Sequence, residues 1–170
     1  MSADIPSTDT LHDICAARLG TPWHLPTKDD FQELYDNTDS EWVADYNGTG
    51  VAGRKFMKKT DHSVYVFFPA SGYYYYTTLY SRGIGGMYWS SSFYSATNAY
   101  DLYVGSSSVY PKTQSNRYDG IPVRPCMGPH YNITITLNPT DSAYASNVEI
   151  TVIDAEGFGH VGTTNAQGMA

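Results

Sequence analysis

Leu102 and Val104 lie two apart, with Asp101 and Tyr103 beside and between them, inside a stretch from Gly85 to Cys126 that is rich in aromatic and small polar residues and poor in charge. This alternation constrains the chain more than any other feature. It calls for a half-buried strand, with one face on a core and the other in water. Tyr, Ser, Asn and Gly are also what binding loops use, a rigid ring for contact area and a small partner for hydrogen bonds. No residue set here has the look of a reaction centre, so the stretch reads as a recognition surface on a small-stranded scaffold.

The 170 residues, 41% of them hydrophobic, suffice for one domain with a proper core and a smaller second part. The net charge of -7 and only ten Lys and Arg exclude a nucleic-acid surface, which needs clustered cations. No apolar run approaches the length of a membrane span, and direct membrane insertion is not expected. The chain opens without a basic, apolar signal segment, and one or both ends read as trimmed from a longer protein. Sixteen tyrosines are more than a core can bury with every hydroxyl paired, which places several at a surface. Cys15 and Cys126 lack zinc-type spacing. They are either two free thiols or one long-range disulfide, the latter contributing about 4–5 kcal/mol by loop closure.

Along the chain, Leu11, Ile14, Cys15, Arg18 and Leu19 have helical spacing, with Thr10 or Asp9 as cap and Gly20 as stop. Thr27 and Asp30 form a short capping box before Phe31, Leu34 and Tyr35, predicting a second helix over Lys28 to Asn37. Strands are expected at Trp42–Tyr46, Gly50–Met57 and Val64–Pro69. Arg54, Lys55, Lys58 and Lys59 are expected at a solvated hairpin tip. Tyr73 to Tyr76 cannot all face one way on a strand, so part of that run must be exposed or packed against another element. After Cys126 the composition shifts. Asn132–Leu137 and Val148–Ile153 read as strands of a β-rich segment.

Five ordered motifs carry a family resemblance: Trp23-His-Leu-Pro-Thr-Lys-Asp-Asp-Phe-Gln-Glu-Leu, Gly50-Val-Ala-Gly-Arg-Lys-Phe, Phe68-Pro-Ala-Ser-Gly-Tyr, Tyr88-Trp-Ser-Ser-Ser, and Arg117-Tyr-Asp-Gly-Ile-Pro-Val-Arg-Pro. Together they resemble the Fibrobacter succinogenes major paralogous domain, common in surface proteins of gut anaerobes, over about Leu11 to Cys126. The resemblance implies an α+β, C-type-lectin-like domain at 8–128, related to formylglycine-generating enzymes and to the variable proteins of diversity-generating retroelements. Two helices would flank a small twisted antiparallel sheet with long loops. Residues 129–170 would follow as a β-rich segment of an Ig-like or prealbumin-like sandwich. The chain departs from the family at His24, where Arg is usual, and at Cys126, where Val is common. Arg124 is expected to hold a structural ion pair.

The expected function is a non-catalytic ligand-binding or adhesion module at the cell surface, extracellular, meeting a glycan or a surface protein through a face formed by residues about 88–118. The expected contacts are Tyr94, Asn98, Asp101, Tyr103, Ser107, Tyr110, Lys112, Gln114 and Asn116. The alternative is a stalk or tip subunit of an adhesin or pilus, assembled with other surface subunits. Catalysis of the formylglycine-generating type needs two reactive cysteines late in the domain, and only Cys126 is late. His12, His24, His62, His130 and His160 have no motif around them, so the chain is not expected to be an enzyme. No cofactor is expected. The acidic runs Asp36, Asn37, Asp39, Glu41 and Asp45, Asn47 are the places calcium would take, though neither has a loop spacing built for it.

Overall fold

The computed structural model describes residues 3–6, 11–20, 22–128, 149–153 and 159–163. The chain forms two units, Met1–Gly128 and Pro129–Ala170.

In the first unit, helix α1 (Ile14–Leu19) starts on Asp13, not on Thr10 or Asp9, which lie outside the described residues. The fully buried Asp13 carboxylate accepts the Cys15 and Ala16 amides at 2.8 and 3.1 Å, and its other oxygen accepts Leu25 N–H at 2.8 Å. Cys15 and Ala16 are the buried face. Leu11, Ile14 and Leu19 point outward, which corrects the apolar face expected from their spacing. Strand β1 (Trp23–His24) pairs antiparallel with β10 (Cys126–Met127), bringing His24 opposite Cys126. Helix α2 (Lys28–Asn37) carries the expected capping box. Thr27 Oγ1 accepts Asp30 N–H at 3.1 Å, and Asp30 Oδ2 accepts Thr27 N–H at 2.7 Å. Phe31 is its buried anchor, whereas Tyr35 is exposed.

The core lies among α2 and two three-stranded antiparallel sheets. One is β2 (Thr38–Val43), β3 (Gly53–Lys58) and β4 (Asp61–Pro69). The other is β7 (Gly85–Phe93), β8 (Asn98–Gly105) and β9 (Val109–Asn116). Phe31, Phe56, Phe68, Tyr88, Leu102 and Val104 form one buried cluster, with Leu34, Val66 and Val109 against it. Burying each such side chain contributes about 1.5–3 kcal/mol. The Phe56, Phe68 and Tyr88 rings meet edge to face, with centroids 5.4 and 5.0 Å apart. The Trp-Ser-Ser-Ser motif sits where the β7–β8 register shifts between Trp89 and Phe93. Ser92 Oγ there accepts Lys28 N–H at 3.0 Å, satisfying an amide at the start of α2.

Arg54 is not at a hairpin tip as expected. It is 8% exposed and reaches from β3 to the end of β8. A short hairpin, β5 (Tyr73–Tyr75) and β6 (Thr78–Tyr80), stands between the two sheets in chain order.

The expected α+β, C-type-lectin-like plan, with two helices flanking one small twisted sheet, is therefore corrected. The chain is mostly β and divides its strands among several small antiparallel sheets. The six-residue α1 packs mainly on β1, and α2 packs on strands of both three-stranded sheets. The reason lies in where the apolar residues fall. Leu11, Ile14 and Leu19 are left in solvent, while the alternating strands supply most of the core. No helix among the described residues is long and apolar enough to cross a membrane.

In the second unit, β11 (Glu149–Ile153) pairs antiparallel with β12 (Gly159–Thr163). The strand expected at Asn132–Leu137 lies outside the described residues.

Candidate functional site

An exposed aromatic surface of the first unit is built on the β5–β6 hairpin. Tyr73 pairs with Tyr80, Tyr74 with Leu79, and Tyr75 with Thr78, so Tyr73, Tyr75 and Tyr80 share one face while Tyr74 and Leu79 share the other. The turn places Tyr76 at φ +53. Its ring meets Tyr75 at 4.7 Å and Tyr118 at 5.5 Å, while Tyr118 also meets Tyr75 at 6.0 Å. Tyr73 stacks on Tyr80 at 5.8 Å. Tyr74, Tyr75, Tyr76, Tyr80 and Tyr118 are all exposed, Tyr76 to 73%. Hydrogen bonding to Tyr75 pushes the Tyr118 phenol up to about 12.

Two backbone bonds hold the 117–122 loop to the hairpin: Tyr74 N–H to Gly120 O at 2.9 Å, and Gly120 N–H to Tyr74 O at 2.8 Å. Glycine is required there because an added Cβ would lie 2.9 Å from Tyr74 Cβ. Gly72, at φ +69, starts the hairpin; a Cβ on it would sit 2.1 Å from Tyr80 O. The hairpin and loop border an open cleft of about 390 Å³, lined by Ser71, Tyr73, Tyr74, Leu79, Ile121 and Pro122 among others. This arrangement offers ring faces, phenol hydroxyls and an apolar floor. It can stack and hydrogen-bond a ligand.

The nine residues expected to form a face do not come together as one. Tyr103 and Tyr110 pair across β8–β9 and stack at 5.9 Å. Tyr110 is exposed, but Tyr103 lies half-buried over Gly85 and Gly105, where added Cβ atoms would approach its hydroxyl to 3.1 and 2.7 Å. Asn98 pairs with Asn116 and Tyr100 with Gln114, alternating with the buried Ala99–Ser115 pair, so they point to the opposite side. Tyr94 meets Tyr100 edge on at 5.2 Å. Lys112 is drawn to Asp29 at the start of α2, 2.8 Å away. Ser107 is exposed in the β8–β9 turn. Asp101 is fully buried and bonded to Thr113, which removes it from any contact surface. Alternation misplaced it because β8 buries residues on both faces.

Both cysteines are free thiols in this structure. Cys126 Sγ lies 3.2 Å from His24 Nε2. His24 Nδ1 faces Pro22 O at 3.1 Å, and the Cys126 thiol also reaches His24 O at 3.7 Å. Asp30 completes a group whose donor atoms lie within 4.8 Å of one another, the one such His/Cys/carboxylate trio among the described residues. These three side chains could hold a transition metal. Burial pushes Cys126 up to about 12 and Cys15 up to about 11, which keeps both protonated near neutral pH.

The acidic runs weighed as places for calcium have local partners. Asp39 meets His62 at 2.8 Å, Asp36 accepts from Gln32 at 3.0 Å, Glu41 faces Lys55 at 3.7 Å, and Asp45 accepts Gly50 N–H at 2.6 Å. Arg124 makes no ion pair among the described residues. It donates to Phe67 O at 3.1 Å and lies over the Phe68 ring.

The sequence reading did not name Tyr118 or the hairpin tyrosines among its expected contacts, and the structure brings them together. The four-tyrosine run was the available signal, since it could not be buried on one strand.

Residues 43–126 match the model of a family described as a domain of unknown function (DUF8237). No curated protein and no solved structure matches the chain. The matched span takes in β3 to β9, the tyrosine hairpin and the 117–122 loop, and leaves out both helices.

Proposed function

We propose that this chain is a non-catalytic ligand-binding module of the cell surface, and that its contact face is the tyrosine cluster of the β5–β6 hairpin and Tyr118 beside the cleft. The observation that carries this reading is the ring-to-ring packing of Tyr75, Tyr76 and Tyr118, all three of them exposed. Exposed rings held in place by one another lose little side-chain entropy when a partner arrives, about 0.5–1.5 kcal/mol less per side chain than a free one. Their faces suit the C–H surface of a sugar ring, and their hydroxyls suit polar groups of a glycan or protein. The motif resemblance to the Fibrobacter succinogenes major paralogous domain supports a location outside the cell. Relative to the sequence expectation, the face moves from β8–β9 to the hairpin and loop.

The test is a glycan and surface-protein array probed with the wild type, a Tyr76→Ala/Tyr118→Ala variant and a Tyr103→Ala/Tyr110→Ala variant. The expected result is binding that the first variant loses while its circular dichroism is unchanged. Binding retained by that variant and lost by the second would return the site to β8–β9. Silence on both arrays would overturn the glycan and surface-protein reading in favour of a partner subunit of the same assembly.

A further inference from the structure

His24, Asp30 and Cys126 gather three kinds of metal donor at one point, and none of them belongs to the tyrosine face. A ring nitrogen, a carboxylate oxygen and a thiol sulfur all lie within 4.8 Å of one another. The arrangement is tertiary. His24 and Cys126 are 102 residues apart and are brought face to face by the β1–β10 register. With Zn–S about 2.3 Å and Zn–N about 2.0–2.1 Å, a tetrahedral zinc centre sets its sulfur and nitrogen about 3.5 Å apart. Cys126 Sγ stands 3.2 Å from His24 Nε2, so a small rotation of either side chain opens the seat. The other edges, up to 4.8 Å, shorten as the side chains turn inward onto an ion.

The donors are already supported from behind, as the ligands of metal sites are. Pro22 O faces His24 Nδ1 at 3.1 Å, which leaves Nε2 turned to the thiol. The Thr27 amide and hydroxyl donate to Asp30 Oδ2 at 2.7 and 2.8 Å, fixing the carboxylate at the first turn of α2. Cys126 is half-buried, so an ion can reach it.

We propose that His24, Asp30 and Cys126 bind a zinc ion, with water in the fourth position, and that the ion clasps β1, β10 and the start of α2 together. The donor mix selects the metal. Calcium and magnesium take oxygen donors, copper(I) favours sulfur, and zinc accepts sulfur, imidazole and carboxylate alike. The Cys126 thiol releases its proton to solvent as the Zn–S bond forms. His24 binds neutral through Nε2, with its Nδ1–H donated to Pro22 O, and Asp30 binds as the carboxylate. The β1–β10 ladder is only two residue pairs long, and a two-stranded pair is marginal by itself. A metal link across it closes most of the first unit into one loop, where a clip that restrains a long loop stabilises most.

The experiment titrates reduced, chelator-treated protein with cobalt(II) and then with zinc, and follows thermal melts with and without zinc. The expected result is a thiolate-to-cobalt charge-transfer band in the near ultraviolet with tetrahedral bands in the visible, all bleached by zinc. A zinc-dependent rise in Tm that chelator reverses accompanies it. Cys126→Ser abolishes the charge-transfer band. His24→Gln and Asp30→Asn each weaken zinc binding by at least about tenfold, as loss of a ligand should exceed loss of its support. Cys15→Ser, whose thiol is outside the trio, keeps the band. Near-ultraviolet circular dichroism in chelator checks that each variant is folded. A band that survives Cys126→Ser, or that Cys15→Ser removes, overturns the proposal. So does a Tm rise with zinc that a Cys126→Ser/His24→Gln variant shows in full, because the ion is then adventitious. The wild-type titration decides the matter even where a variant fails to fold: folded protein with no cobalt band shows that thiol and imidazole share a hydrogen bond and nothing more.

Discussion

The Arg54 guanidinium and the Gly105 carbonyl join the two three-stranded sheets. Nε and Nη2 of Arg54 donate to Gly105 O at 3.1 and 2.7 Å, Nη2 also reaches Ser106 O at 3.1 Å, and Nη1 reaches Ser40 at 3.1 Å. Three of the four bonds go to the end of β8, two of them to the carbonyl of the buried Gly105. Arg54→Ala removes them. The expected loss is about 2–4 kcal/mol, the range for charged hydrogen bonds left broken at a buried site. Arg54→Lys recovers less than half, because one ammonium cannot copy the fork. Urea denaturation checks this, with the midpoint falling and the slope unchanged.

Tyr103 and Tyr110 stack on each other yet should behave differently. Tyr103 covers Gly85 and Gly105, so Tyr103→Ala opens a gap over two glycines and costs about 1–3 kcal/mol. Tyr110 is 54% exposed, and Tyr110→Ala changes stability by no more than about 0.5 kcal/mol. Equal effects in paired melts would show that the two rings act as a unit.

What the sequence revealed depended on distance along the chain. The capping box of α2 was legible because Thr27 and Asp30 are three residues apart and the signal is local. The strand alternation around Leu102 and Val104 was legible for the same reason. The face of α1 was not, because Asp13 is fixed by Leu25 N–H and not by its neighbours alone. Arg54 was misread as a tip residue because its acceptors, Gly105 and Ser106, come from another sheet. Asp101 was placed in solvent because alternation assumes one wet face, and its partner Thr113 sits on the next strand. The union of Tyr118 with Tyr75 and Tyr76 depends on the Tyr74–Gly120 bridge, which no local pattern announces.

The two thiols give a pH-dependent prediction. Each holds its proton more tightly in the folded chain, Cys15 to about 11 and Cys126 to about 12, against an ordinary 9.0. The folded state therefore binds more protons than the unfolded state between these values. The stability this contributes is complete below about 9 and is lost as pH rises through the folded values. The difference in unfolding free energy between wild type and Cys126→Ser should shift toward the variant between pH 8.5 and about 11. At pH 8 both thiols should resist alkylation in native protein and react fully in denaturant. Fewer than two reactive thiols in denaturant would show instead that the cysteines are bridged.

Gly120 ties the loop that carries Tyr118 to the tyrosine hairpin, and its substitution separates the parts of the candidate site. A methyl group there meets Tyr74 Cβ at 2.9 Å, closer than neighbouring atoms tolerate, and both atoms belong to backbone-fixed positions. Gly120→Ala must push the loop off the hairpin or lose the two backbone bonds to Tyr74. The expected cost is about 1–3 kcal/mol. Tyr118 moves away from Tyr75 and Tyr76, and its phenol, now without the Tyr75 hydrogen bond, titrates below the wild-type value of about 12. Ultraviolet titration of tyrosinate reads that change directly. Ligand binding through the tyrosine face should fall with it, while the Phe56–Phe68–Tyr88 core, which the loop does not enter, keeps its near-ultraviolet signal. A variant that binds and titrates like wild type would show that the hairpin orders its rings without the loop.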